Sequence, residues 1–408
     1  MKNAIGIVAE YNPFHNGHAL HLAGARRLVG ENAPAVAVMS GSFMQRGEPA
    51  FADKWLRAAC AVNCGVDVVF ELPTVFSCRS AEFFAAGAVQ LLAATGVVKH
   101  LAFGAETADA ETLTQAAAYI NAHQNELREI IKSGSSYAAA QTQLLAGAGI
   151  KFDANKSNDI LALEYCRALQ KYAPDIKPLV IRRQGAGYND NDIESSTASA
   201  SAIRMEYAAN GLTEKILQQL PTQTHELLQQ AAKENALGYD NTVLSALVLY
   251  RLQMLAPAQI AAACECSEGL ENRLKDLSNA AGIEQIINDA ATKRYTKSRI
   301  RRLLMQLLLD TDKTIFTQAE PQYLRLLAFN NRGTDLLGDM RKSSTLPVIT
   351  KLGRNFKNCL TGNAERDSKI VQQLELDVKA ANICGLLRHN HKNLYNSDFT
   401  SSPIYIPQ

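Results

Sequence analysis

The sequence predicts an α/β protein, a domain built on a parallel sheet followed by a mainly helical C-terminal domain. Two observations carry that prediction. Short apolar runs, each followed by a loop and a helix-like segment, recur through the first part of the chain, which is the rhythm of βαβ units. Beyond Gly211 the apolar residues recur instead at three- and four-residue spacing, the period of a helix face. At 408 residues the chain is long enough for two such domains. We place the boundary near residue 210, giving a domain of residues 1–210 and a helical one of residues 211–408.

Taken in order, residues 4–9, 34–39, 66–72 and 97–103 are the first four strand candidates. Residues 177–181 follow a long, mainly helical insertion and complete the sheet before a polar loop and a Ser-rich helix start. Residues 215–220, 242–255 and 300–309 then read as helices. There is no internal repeat at solenoid periods and no low-complexity linker, so the two parts are expected to pack together, with their junction a candidate site for a large ligand.

Hydrophobic residues at 47% and charged residues at 20% exclude a mainly disordered chain. A formal net charge of +2 excludes global attraction to nucleic acid, so any such binding needs a local basic face. The eight cysteines are scattered without CxxC pairs, which reads as reduced, packed thiols. Cys60 and Cys64 would share one helix face, yet no nearby histidine completes a zinc set. The N-terminus lacks the basic segment and apolar region of a secretory signal, and no apolar stretch approaches about 18 residues. A cytoplasmic location is the expectation.

The first strand candidate runs through Glu10-Tyr11-Asn12-Pro13-Phe14 into His15-Asn16-Gly17-His18, and residues 19–28 read as a helix. A strand, a loop and a helix N-terminus therefore converge. Unpaired N–H groups and the helix dipole favour phosphate there, Gly17 lets backbone come close, and two imidazoles can donate to phosphoryl oxygens. HxGH by itself also fits an ordinary turn with a capping histidine; the strand-loop-helix setting favours the phosphate reading. A metal held by His15 and His18 lacks a third ligand at suitable spacing, so no metal ligands are expected.

A second signal lies at residues 195–204, SSTASASAIR. Hydroxyls at a helix start cap it and reach phosphate. Arg204, one turn from Ser201, can share its face and hold a phosphate through paired N–H donors. An ordinary serine-rich N-cap is the simpler alternative, and the pairing with HNGH in one domain is what favours function. His15, His18, Ser201 and Arg204 are the candidate catalytic residues.

HxGH with a late Ser-x-x-Arg helix start resembles the nucleotidyltransferase superfamily, with its Rossmann-like fold. Longer strings narrow it: VAEYNPFHNGH (8–18), VMSGSFMQRGEPA (38–50), DVVFELP (67–73), FGAE (103–106), KSNDILALEY (156–165), TASASAIR (197–204) and YTKSRIRRLL (295–304). Together they resemble the tRNA(Met) cytidine acetate ligase family over nearly the whole chain. The resemblance implies an enzyme that uses ATP and acetate to make N4-acetylcytidine at the wobble position of elongator tRNA(Met) through an acetyl-adenylate. It also implies an ATP site at Val8, Ala9, Glu10, Tyr11, Asn12, Pro13, Phe14, His15, Asn16, Gly17, His18, Ala19, Leu20 and His21, with Gly104, Asn158 and Arg183. Arg182 beside Arg183 leaves the register there open. Gly104, at a strand C-terminus, permits close approach of a ligand where open α/β sheets bind them, and Mg²⁺ commonly accompanies ATP phosphates.

The loop at residues 41–50 presents Gln45, Arg46 and Glu48 to the same rim, facing substrate or solvent, with individual roles unassigned. Residues 293–302, KRYTKSRIRR, form the densest basic cluster. Lys293, Arg294, Lys297, Arg299, Arg301 and Arg302 are the candidate tRNA contacts, with Tyr295 able to stack on a base; a solvated helix face is the ordinary meaning of such a run. Lys351, Arg354 and Lys357 form a looser second patch. Three readings stay open beside the ligase: an adenylyltransferase acting on a small metabolite, an acetate ligase with a protein thiol as acceptor, and a non-catalytic RNA-binding protein. Composition and spacing by themselves point to neither acetate, cytidine nor tRNA(Met).

Overall fold

The computed structural model describes residues 3–106, 109–153, 156–182, 198–267, 269–311, 313–317, 320–355, 360, 362–390 and 395–407. Among these residues eight strands form one sheet: β1 (Ala4–Ala9), β2 (Ala35–Ser40), β3 (Val68–Leu72), β4 (Val98–Ala105), β5 (Lys177–Arg182), β6 (Leu324–Asn330), β7 (Val348–Ile349) and β8 (Ile404–Ile406). Their order is β5-β4-β1-β2-β3-β6-β7, with β8 also pairing β6. The first five are mutually parallel and β6 runs antiparallel to β3.

Parallel strands buried on both faces read as continuous apolar runs, and β2 and β3 are buried at every position. Side-chain alternation divides them between two cores. Val36, Val38, Phe70 and Leu72 join one, whereas Ala37, Met39 and Val69 join Ile5 and Ile7 in the other. The first core continues without interruption into the helices Asn241–Met254 and Lys297–Leu308 through Leu244, Val248, Ile300 and Leu303.

The five strand candidates fall where the sequence places them, with ends moved by two residues or fewer. The first helix begins earlier than expected, at Asn16, because His15 caps it. β6, β7 and β8 have no counterpart in the sequence reading. The run at β6, LRLLAFN, is short and apolar, and periodicity alone does not separate a buried strand from a helix turn. Pairing with β3, Val68 against Phe329 and Glu71 against Arg325, decides it.

The strand order positions the site. β1 lies between β2 and β4, so the chain crosses to one side of β1 first and to the other later. That reversal leaves a crevice beyond the carboxyl ends of β1 and β4.

Candidate active site

The turn leaving β1 carries the HNGH residues into that crevice. Tyr11 takes a left-handed conformation at φ 45, uncommon for a residue with a side chain. Its ring packs against Phe14 and edge-on to His18, with centroids 4.7 and 4.9 Å away. His15 is the N-cap of the helix Asn16–Val29 and accepts the Gly17 N–H at Nδ1, 3.1 Å. The His15 N–H donates to His18 Nδ1 at 3.2 Å, closing a reciprocal capping box. A side chain at position 17 would meet the His15 ring at 2.8 Å, so only glycine fits beneath it.

This capping fixes the tautomers. A neutral imidazole that accepts at Nδ1 carries its proton on Nε2. Both histidines are thereby Nε2–H donors, with ring centroids 4.0 Å apart, at a helix N-terminus whose dipole already favours an anion.

Arg204 reaches the same turn from the helix Ala200–Asn210. Its Nη1 donates to Asn12 O at 2.9 Å, and its Nη2 lies 3.4 Å from Ser201 Oγ, so the two residues do share a face. Ser199 caps this helix by accepting the Ala202 N–H. Gln219 ties the two helix starts together: its backbone carbonyl accepts from Asn16 N and its side-chain oxygen from Ala198 N. Sequence reasoning missed Gln219, because its task depends on which backbone groups surround it.

A third helix start closes the crevice from the β4 side. Gly104 lies in β4 beside Ile181 of β5. Glu106, just past β4, accepts from Asn158 Nδ2 at 2.6 Å, and its own N–H donates to Asp159 at 2.7 Å. FGAE and the KSND segment are thus locked together at the start of the helix Ser157–Tyr172. Arg46 in the rim loop donates to Ser157 Oγ at 2.8 Å. Arg183 lies outside the described residues, as do Thr197 and the residues before it in the serine-rich string.

Beneath the rim, buried Arg57 donates to the carbonyls of Ala52, Glu10, Ser40 and Gly41, pinning the ends of β1 and β2. Nothing in the sequence distinguishes it from a surface arginine on an amphipathic helix. Glu10, at the end of β1, accepts the Gln45 N–H at 2.7 Å. Loss of hydration in the fold pushes its carboxyl above its ordinary value, against the opposing pull of that hydrogen bond and of Arg204. Among the described residues no group of three or more His, Cys, Asp and Glu side chains is arranged to hold a metal ion.

The basic run divides in two. Lys293 and Lys297 are exposed and Arg294 is half-buried. Arg302, expected to face tRNA, instead turns inward: it is 6% exposed and pairs with Glu265 at 3.1 Å. Arg299 donates to Glu265 O and Ser267 Oγ and lies over the Tyr295 ring. Tyr295 is buried, with its hydroxyl donating to Ser267 O, which removes it as a base-stacking platform in this arrangement. The cause is the helix they sit on. Eight of the twelve residues of Lys297–Leu308 are buried, Arg302 and Gln306 among them, so its inward polar side chains must find partners. Arg301 is partly exposed and lies between two carboxylates, its Nη2 3.3 Å from Glu284 and its Nη1 3.7 Å from Glu48 of the rim loop. In the second patch Lys351 is exposed; the side chain of Arg354 and all of Lys357 lie outside what is described.

No helix among the described residues is long and apolar enough to cross a membrane.

Residues 1–398 match the family model described as HIGH Nucleotidyl Transferase. A tRNA(Met) cytidine acetate ligase of Clostridium perfringens is 36% identical over 98% of this chain and 99% of its own length. One of a Thermoanaerobacter species is 36% identical over 94% of this chain and 97% of its own. Among solved structures, apo Thermotoga maritima TmcAL superposes with a TM-score of 0.91 at 33% identity, covering all of both chains. The same protein bound with alpha-thio ATP superposes at 0.90 and 32% identity, again over both whole chains. The chain belongs to the HIGH nucleotidyltransferase family and, within it, to the tRNA(Met) cytidine acetate ligases.

Proposed function

We propose that this protein is an ATP-dependent ligase that activates acetate as acetyl-adenylate and transfers the acetyl group to N4 of the wobble cytidine of elongator tRNA(Met). The observation that carries the reading is the pair of histidines fixed as Nε2–H donors at a helix start, with Arg204 bonded to the same turn. That is a site for phosphate charge. Likeness to a relative bound with alpha-thio ATP supports ATP as the nucleotide.

In the first step an acetate oxygen attacks the α-phosphorus of ATP and the bond to the bridging oxygen breaks, releasing pyrophosphate. Negative charge grows on the phosphoryl oxygens, which His15, His18 and Arg204 meet with N–H donors and Ser201 with its hydroxyl. In the second step the cytidine amino nitrogen attacks the acetyl carbonyl, AMP departs and the nitrogen gives up a proton. No protein nucleophile is needed. The remaining residues of the segment from Val8 to His21, with Gly104, Asn158 and Arg183, would shape the rest of the ATP site. Mg²⁺ would travel with the phosphates, held mostly by phosphate oxygens and water.

Residues 1–210 would carry activation and residues 211–408 would contribute tRNA contacts, chiefly from the outward side chains Lys293, Arg294 and Lys297. A cytoplasmic site of action follows from the tRNA substrate. The direct test of activation is acetate-dependent exchange of labelled pyrophosphate into ATP without tRNA. Exchange that depends on acetate is the expected result; exchange that ignores acetate would overturn this reading.

A further inference from the structure

The loop following β2 touches almost every element that frames the crevice. Gln45 bonds to Glu10 through its N–H and to Arg79 O through its side chain. Arg46 reaches Ser157. Gly47 takes φ +79, and a side chain there would lie 2.5 Å from the backbone nitrogen of Arg302. The loop tip is therefore pressed onto the helix Lys297–Leu308 with no room for a Cβ. The loop is itself stiff, closed by bonds from Met44 N to Glu48 O and from Ala50 N to Ser42 O.

Glu48 stands at the centre of this arrangement. One carboxylate oxygen accepts from Arg204 Nη2 at 2.9 Å and the other lies 3.7 Å from Arg301 Nη1. A single side chain thus bridges the arginine at the phosphate turn and an arginine on the basic helix. The pairs are partly exposed, the side chains of Arg204, Glu48 and Arg301 being 19%, 25% and 26% accessible. Pairs of this kind add little stability, so Glu48 is better explained by orientation than by folding energy. With Asn12 O on Nη1 and Glu48 on Nη2, the Arg204 guanidinium is held at both ends of its fork, and a planar fork held twice has one orientation left.

We propose that Glu48 is a positioning residue for the activation step, aiming Arg204 at the phosphates, and that Arg301 acts on that step through Glu48. The inference rests on the ligase reading above. Because Glu48 repels phosphate while orienting its partner, its loss does not merely weaken ATP binding. It leaves ATP binding nearly unchanged and lowers turnover.

The test is steady-state pyrophosphate exchange, with acetate saturating and ATP varied. Glu48→Gln, which keeps size but not charge, should lower kcat on the order of ten- to hundredfold while KM for ATP stays within about threefold. Glu48→Asp should recover part of kcat. Arg301→Gln should give a smaller loss, and the double variant no more than Glu48→Gln alone. Unchanged kcat in folded Glu48→Gln, or a fall in KM with kcat retained, would show a bystander or a competitor for Arg204 and overturn the proposal. Additive losses in the double variant would overturn the part played by Arg301. Exchange absent from the unsubstituted protein would count against the ligase reading itself, so the two failures are distinguishable.

Discussion

Beside its ring contacts with Tyr11, Phe14 and His15, replacing His18 by alanine removes two polar interactions of different size. The first is the acceptor that His18 Nδ1 offers to the His15 N–H, 3.2 Å away. The other half of the capping box, Gly17 N–H to His15 Nδ1, remains. Loss of a helix cap costs about 0.5–2 kcal/mol, and with half of the box intact about 1 kcal/mol is expected. The second loss is the Nε2–H donor. Removing one donor that meets charge in a transition state costs about 2.7–4 kcal/mol, or roughly 10²–10³ in rate. Catalysis should therefore fall by several times more, in free energy, than stability does. A loss of about 1 kcal/mol leaves a protein of ordinary stability folded. Pyrophosphate exchange at saturating ATP measures the first quantity and urea unfolding the second. His18→Gln sharpens the comparison, since Gln at that helix position can reach back to the cap N–H and should restore stability without restoring exchange. Exchange within about threefold of the unsubstituted rate, in folded His18→Ala, would refute the donor role.

Three other outcomes are expected. Arg302→Ala should lower stability on the order of 2 kcal/mol in denaturant unfolding, since it strands a largely buried Glu265 that keeps only longer pairs with Arg79 and Arg299 at 3.9 Å; a change no larger than that of Lys293→Ala would contradict the inward placement. Replacing Lys293, Arg294 and Lys297 together should weaken tRNA binding and reduce its log–log salt slope by up to about three; an unchanged slope would move the docking surface to Lys351 and its neighbours. Acetyl-coenzyme A without acetate and ATP should acetylate no tRNA, and efficient transfer from it would contradict an adenylate route.

The five parallel strands were legible because each is an apolar run with a loop behind it, a local property. β6 was not, because its strand character comes from pairing with β3 across more than half of the chain. The turn from β1 into the first helix was legible in HNGH for the same local reason, and the structure adds how the two histidines sit in it: each caps the backbone around the other and so fixes its tautomer. Arg57 and Gln219 escaped notice because their partners are backbone carbonyls and amides whose positions only the fold sets. Charge counting over residues 293–302 recorded density without direction. Helical phase did not supply the direction either: Arg302 lies across the helix from Ile300, Leu303, Leu304 and Leu307, and it is buried because the side of the helix that carries Met305 and Gln306 is packed inside as well.

The most direct test of the central claim is mass analysis of nucleosides from tRNA(Met) incubated with the protein, ATP and isotopically labelled acetate. The account predicts N4-acetylcytidine carrying the acetate label, dependent on ATP and accompanied by AMP and pyrophosphate. Labelled acetyl-adenylate that accumulates while the tRNA nucleosides stay unlabelled would contradict it, and would give the activated acetate to another acceptor.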